Sequence, residues 1–317
     1  MKMKRTITVI LSMMLAVSLC ACGKNGKFEG DKIVMTYVTS PLNIPTILDK
    51  ENGIYKDAFA QMGYGFDYSN LDSGADQTAA LASGDIQLLN GVGGSSVLLA
   101  AANGMDIVIL SMYSTAPKAF AMYSNDENIN SPEDLRGLTV AGPKGTNLHE
   151  LLAAYLATAG MTIEDVNFVS MDIPSSVAAL EGGSVDVALV GGAASYNAEQ
   201  SGKHLVCDGE GLIAATICTA TTRKFAEENP EIIKTFLDTQ NEIVDYMNDN
   251  YDISMETAAR VLDIDEEAVA SMYEMYDFST FVSDEDIELL GKTEQFLFDS
   301  KMIENHVNVK ELFYGIK

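Results

Sequence analysis

From residue 32 onward, short apolar runs alternate with longer stretches whose apolar residues recur every three or four positions. Runs at 32–38 (KIVMTYV), 66–71 and 86–89 predict strands; amphipathic stretches after residue 43 and at 77–82 predict helices. Pro45 suits a first helical turn, where a missing N–H does no harm. A fourth strand is predicted at 107–111. The alternation then returns, with strands at 138–141, 167–171 and 185–190 and helices at 148–156 and 176–181. In the helix at 148–156, Leu148, Leu151, Leu152, Tyr155 and Leu156 share one face, and Gly160 ends it. Asn147 and Glu150 have capping-box spacing, and Ser131 before Pro132 and Glu133 reads as another helix start. Strand, helix, strand in this order predicts an α/β architecture with mostly parallel sheets. After Asn229-Pro230-Glu231 the pattern is helical to the end.

An internal echo sharpens the picture. Residues 79–96 read AALASGDIQLLNGVGGSS and residues 178–195 read AALEGGSVDVALVGGAAS. Ala79, Ala80 and Leu81 align with Ala178, Ala179 and Leu180, and Gly84 aligns with Gly183. Val92, Gly93 and Gly94 align with Val190, Gly191 and Gly192, one residue out of step. Each copy spells a helix end, a glycine turn, an apolar strand and a glycine-rich loop opening another helix. Two copies predict two similar lobes facing a shared cleft. Extended crossings near 122–126 and 219–222 predict a hinge between them. The expected division is 31–122 with 222–317 as a discontinuous first lobe, and 123–221 as the second.

Length and composition fit this reading. A chain of 317 residues exceeds the usual single core, and 47% hydrophobic with 21% charged residues marks a globular protein. The longest apolar run, 7–21, follows Lys2, Lys4 and Arg5 and is shorter than the roughly 18 residues of a membrane span, so 1–21 reads as an export signal. It ends in Leu19-Cys20-Ala21-Cys22-Gly23, which resembles the cleavage signal of bacterial lipoproteins. On that reading Cys22 becomes the acylated N-terminus, palmitate-like chains hold the domain at the outer face of the cell membrane, and 22–30 is a short tether. The formal charge is −26, and loss of the three early basic residues leaves 17 basic against 46 acidic ones. Such acidity excludes nucleic acid as a partner and serves solubility. Of the remaining cysteines, Cys207 and Cys218 leave a disulfide and a buried free thiol both open.

In open α/β sheets ligands sit beyond the carboxyl ends of strands, where helices begin. The candidate binding residues are therefore Ser40, Leu42 and Asn43 after the first strand, Gly93, Gly94 and Ser95 after the third, and Thr115 after the fourth. Lys144, Gly145, Thr146, Asn147 and Gly192 answer from the second lobe. Bare N–H groups at helix starts attract anions, and Lys144 adds a direct charge. The alternative is that the glycines serve only tight turns. Asp72 and Asp172 read as helix caps or as partners for a cation, Tyr113 as packing or a ring platform, and His149 as a surface or capping residue more readily than a base. HExxH, GxSxG, Walker A and CxxC patterns are absent from the sequence, so no enzyme chemistry, cofactor or metal is expected.

Together, the lipoprotein-type signal, SPLNIP after the first strand, the two glycine-rich repeats, SPEDLRGLTVAGPKGTNLHELLAAYLATAG and FAEENPEIIKTFLD resemble the solute-binding proteins of ABC importers. The group resembled is the aliphatic-sulfonate, taurine, nitrate and thiamine-precursor binding family; Asp134 to Thr146 is the most specific stretch, and the resemblance spans roughly 31–240. It implies a two-lobed type II periplasmic-binding-protein fold, α/β, with a mostly parallel sheet flanked by helices in each lobe. It also implies a monomer that clamps a small ligand by hinge closure and hands it to a membrane permease. Residues 31–120 contain no arginine, which leaves neutral or cationic ligands open beside sulfonates. The same fold is used by a pyrimidine synthase of thiamine biosynthesis, a weaker resemblance because a clustered-cysteine motif is missing.

Overall fold

The computed structural model describes residues 28–39, 42–71 and 73–315. The export signal, Cys20, Cys22, Ser40 and Asp72 lie outside the described residues. Phe28, assigned to the tether from sequence, is docked: its N–H donates to Asn229 Oδ1 at 2.6 Å, and its ring meets Tyr64 and Phe225 with centroids 5.9 and 5.5 Å away.

The first α/β unit runs β1 (Lys32–Tyr37), α1 (Ile44–Asn52), α2 (Ile54–Gln61), β2 (Gly65–Asn70), α3 (Gly74–Ser83), β3 (Leu89–Gly93), α4 (Gly94–Ala102) and β4 (Ile107–Thr115). The second runs β5 (Phe120–Ser124), β6 (Thr139–Gly142), α5 (Asn147–Ala157), β7 (Asn167–Ser170), α6 (Ile173–Glu181), β8 (Val187–Gly191), α7 (Ala193–Gln200) and β9 (His204–Asp208). The chain then returns through β10 (Thr216–Thr222) and ends in α8 (Arg223–Glu228), α9 (Pro230–Asp249), α10 (Tyr251–Leu262), α11 (Glu266–Tyr273), α12 (Asp284–Asp299) and α13 (Val309–Leu312).

The strands form two sheets of matching plan. In the second the order is β7-β6-β8-β5-β9. In the first, β1 pairs with β2, and β10 lies between β3 and β4; the Met35–Leu88 bridge joins the two parts, giving β2-β1-β3-β10-β4. β5 runs antiparallel to β8 and β9, and β10 antiparallel to β3 and β4. Each sheet thus holds, in its interior, the strand that arrives from the other lobe. The expected crossings near 122–126 and 219–222 sit too late: Met122 already pairs with Leu189, and Thr219 with Ser111. The chain passes between sheets at 116–119 and 209–215. The apolar runs at 120–124 and 216–222 are almost wholly buried, which is why they serve as interior strands and not as hinge segments.

Most predicted elements are present, with one systematic shift. The third strand was expected at 86–89 but occupies Leu89–Gly93, and its counterpart ends at Gly191. The glycine-rich segments are therefore strand ends that turn directly into helices, with no intervening loop. Gly192 makes that turn with φ 57° and ψ −129°, a backbone conformation that only glycine adopts easily. The helix after Lys144 has Thr146 as its N-cap, with no capping side chain, so the Asn147–Glu150 spacing does not act as a capping box. Ser131 and Asp134 do form one, around a short 3-10 turn.

The C-terminal helices return to the first sheet, making that lobe discontinuous. α9 packs on α1, α2 and β4, and α12 on α4. The centre of this contact is Phe236, fully buried and stacked on Tyr55 at 5.2 Å with the rings 13° apart. Truncating a core phenylalanine removes transfer free energy and leaves a cavity. Phe236→Ala is expected to lower stability by about 3–5 kcal/mol, measured as a reduced midpoint in urea unfolding.

Candidate functional site

Because both sheets aim the carboxyl ends of their parallel strands at one another, a cleft of about 1620 Å³ opens between the lobes. Val38 and Thr39 after β1, Asn70 and Leu71 at the end of β2, Pro143, Lys144 and Gly145 after β6, and Ser170 and Met171 after β7 line it. The side walls are α3 and α6, which contribute Ala75, Thr78, Ala79 and Ala82 from one lobe and Ile173, Pro174, Val177 and Ala178 from the other. Ala79 and Ala178 are aligned alanines of the sequence repeat, so the duplication supplies each wall with a matched small side chain.

The helix starts around the cleft differ electrostatically. At α3 the Ser73 hydroxyl accepts the Asp76 N–H at 3.0 Å, and at α6 Asp172 accepts the Ser175 N–H at 2.7 Å. The bonds from the Ser175 side chain and backbone hold the Asp172 carboxyl below its ordinary range. Asp172 thus caps its helix, as sequence favoured, while also lining the cleft. α7 has no side-chain cap, and its first residues, Ala193 and Ala194, face the cleft. An uncapped helix start presents N–H groups and a partial positive charge. Lys144 is exposed in the cleft and forms no ion pair among the described residues, and Lys203 donates to Asn125 Oδ1 at 2.6 Å. Against these stand Asp76, Asp172 and Glu181 on the walls.

Several candidates from the sequence meet elsewhere, at a seam where the lobes touch. Ser95 donates to Asn147 Oδ1 at 2.9 Å, Asn147 Nδ2 donates to the Thr216 carbonyl at 3.2 Å, and the Ser96 hydroxyl donates to the Gly145 carbonyl. A methyl group on Gly93 would stand 3.0 Å from Asn147 Oδ1, and one on Gly94 2.7 Å from Leu290. Gly93 lets the starts of α4 and α5 approach one another, and Gly94 lets α4 pack on α12 within the first lobe; neither borders the cleft. Glu150, one turn along α5, is buried in the same seam. Burial pushes its carboxyl up to about 7, with the Thr293 hydroxyl offsetting part of the rise.

Of the remaining candidates, Lys144 and Gly145 border the cleft. Leu42 is fully buried in the core, and the Asn43 side chain donates to the Val38 carbonyl at 2.7 Å. Thr115 ends β4 and pairs with Thr216, and the Thr146 hydroxyl donates to the Pro143 carbonyl at 2.8 Å. His149 was expected at the surface or as a cap, but it is buried and stacked on Phe168 at 4.6 Å; its Nδ1 accepts the Gly145 N–H at 3.3 Å. Burial and the neighbouring Lys144 push it down to about 4, so it is neutral. Tyr113 is core packing, bonded to Thr46 at 2.8 Å. Cys207 and Cys218 are both free thiols, one in each sheet, and Cys218 is buried. The helix walls were missed from sequence. Their signal was the alanines at 75, 79 and 82, spaced by four and three, which read as ordinary helix interior.

Comparison with known proteins places this geometry in a family. The sequence profile described as NMT1/THI5 like matches residues 43–252. A putative aliphatic sulfonates-binding protein of Bacillus subtilis (strain 168) is 25% identical, over 98% of this chain and 94% of its own. The taurine-binding periplasmic protein of Escherichia coli (strain K12) is 34% identical over 56% of this chain and 55% of its own. Among solved structures, the alkanesulfonate-binding protein SsuA from Xanthomonas axonopodis pv. citri bound to MOPS superposes with a TM-score of 0.81, at 20% identity, over 90% of this chain and 99% of that one. The chain belongs to the NMT1/THI5-like family and has the periplasmic-binding-protein fold.

The seam carries its own test. Gly93→Val is expected to force Asn147 away and hold the lobes apart, raising the radius of gyration in small-angle scattering while far-ultraviolet circular dichroism stays unchanged.

Proposed function

We propose that this chain is the extracytoplasmic solute receptor of an ABC importer, capturing a small organic anion of the sulfonate type between its lobes. The observation that carries this reading is the pairing, in one cleft, of the uncapped α7 start and unpaired Lys144 with apolar walls from α3 and α6. An anionic head takes the N–H groups and the ammonium, and a hydrocarbon or ring body lies along the alanines. Aliphatic-sulfonate and taurine binding in the named relatives supports the assignment. The function is binding and hinge closure, without covalent chemistry. Closure is driven only by what the ligand gains from touching both lobes. The closed receptor acts as a monomer that delivers its guest to a permease, and an acylated Cys22 keeps it at the outer face of the membrane.

A second reading has its own observation. Asp76, Asp172 and Glu181 outnumber the two lysines around the cleft, which suits a neutral or cationic guest such as a thiamine pyrimidine precursor.

Titration calorimetry separates the two. Hexanesulfonate and taurine are expected to bind and an aminopyrimidine not to. Lys144→Met is expected to weaken sulfonate binding by about tenfold or more, the range of a lost charge-assisted hydrogen bond. Binding of the aminopyrimidine alone would replace the first reading by the second. Cys22→Ala is expected to move the protein from the membrane to the soluble fraction on cell fractionation.

A further inference from the structure

The geometry points to Glu150 as a positioning residue that closes the seam as a neutral carboxylic acid, so that bringing the lobes together takes up one proton. This rests on the hinge-closure reading above. Glu150 belongs to α5 of the second lobe, is 3% exposed, and engages Ser95 of α4 and Thr293 of α12, both from the first lobe.

The hydrogen count at Ser95 favours the neutral acid, while the Thr293 hydroxyl, which favours the ionised form, offsets only part of the effect of burial. The Thr216 carbonyl can only accept, so the group Asn147 turns to it is the amide Nδ2, and Oδ1 faces Ser95. Oδ1 also only accepts, so the single Ser95 hydroxyl hydrogen goes there. What Ser95 offers Glu150 is a lone pair. An ionised carboxylate has no hydrogen to place against it, whereas a carboxylic O–H does. The run Glu150 to Ser95 to Asn147 to Thr216 is then donor to acceptor throughout, crossing between the lobes three times.

The surrounding elements supply no cation to hold the charged form. α4 has no ionisable residue. On α12, Lys292 pairs with Glu288 at the surface, and Glu294 is turned to the Val307 N–H and His306. On the approach to Glu150's own helix, Lys144 is exposed in the cleft, and His149 is neutral. In β10, burial pushes the Cys218 thiol up to about 12, and in β5 the Tyr123 hydroxyl is also raised, so both stay uncharged.

The direction follows by linkage. The closed seam holds the Glu150 proton more tightly than the open, hydrated state, where the carboxyl has its ordinary value of 4.5. Closure is therefore favoured as pH falls from 8 toward 5.5, by a factor on the order of 10 in the closed-to-open ratio.

The experiment is small-angle scattering on the full chain at pH 5.5 and 8, without ligand and with hexanesulfonate. The unsubstituted protein is expected to be more compact at pH 5.5. Glu150→Gln, whose amide donates to Ser95 at any pH, is expected to be equally compact at both, and Ser95→Ala to show a reduced pH response. Superimposable profiles of the unsubstituted protein at the two pH values overturn the proposal, as does a Glu150→Gln variant that keeps the full pH response. Hexanesulfonate that compacts nothing at either pH argues against the sulfonate reading alone, since the ligand-free comparison still decides the role of Glu150.

Discussion

Each sheet is completed by a strand from the other half of the chain, and the rest of the architecture depends on that exchange. β5 lies inside the second sheet between β8 and β9, and β10 inside the first between β3 and β4. Removing either would expose unpaired N–H and carbonyl groups in a sheet interior, a cost that edge strands avoid by facing water. The two lobes are therefore held by short passages at 116–119 and 209–215. In the second of these passages Gly211 and Ala215 both take positive φ, 74° and 49°. Alanine in that region costs about 1–2 kcal/mol, so the second passage stores some strain where the lobes turn.

The same constraint separates two kinds of contact that the sequence runs together. With the strand ends brought face to face, one side of the junction becomes a seam and the other a cleft. In the seam, Gly93 is small because Asn147 leaves no room for a side chain, and Gly94 beside it is small because Leu290 of α12 packs there within the first lobe. In the cleft, the α3 wall is made largely of alanines and the α6 wall of Ile173, Pro174, Val177 and Ala178, which leave room for a guest. The repeat supplies both, but by different residues than its glycine-rich ends suggest. Its alanines line the cleft, while Gly93 of its first copy lets the lobes come together.

Much of this was legible. Periodicity located most strands and helices, and the 79–96 and 178–195 copies disclosed the matched lobes before any coordinates. The crossings were misplaced because buried strands at 120–124 and 216–222 look like any other apolar run; only their pairing partners reveal that they have already entered the next sheet. The seam was illegible for a related reason. Asn147 and Glu150 match a local capping pattern, and nothing local says that their side chains reach Ser95, Thr216 and Thr293, from 52 residues away in the case of Ser95. Lys144, which lines the cleft, stands out in the sequence because a lone cation beside glycines needs no tertiary knowledge to be noticed.

Charge imposes the last condition on any guest. A formal charge of −26 repels anions at long range, yet screening confines that field to roughly 8 Å at physiological salt. Inside that distance the cleft's own groups decide. Carboxylates dominate the list of charges there, but Asp76 and Asp172 are already committed to the N-termini of α3 and α6. Their charge is largely answered by the helix starts, Asp172 as the N-cap of α6 and Asp76 in the first turn of α3, bonded to the Ser73 hydroxyl. The α7 start and Lys144 have no such internal partner among the described residues, and so remain the unspent positive potential in the cleft. A count of charged residues favours a cation; the hydrogen bonds those residues already make favour an anion.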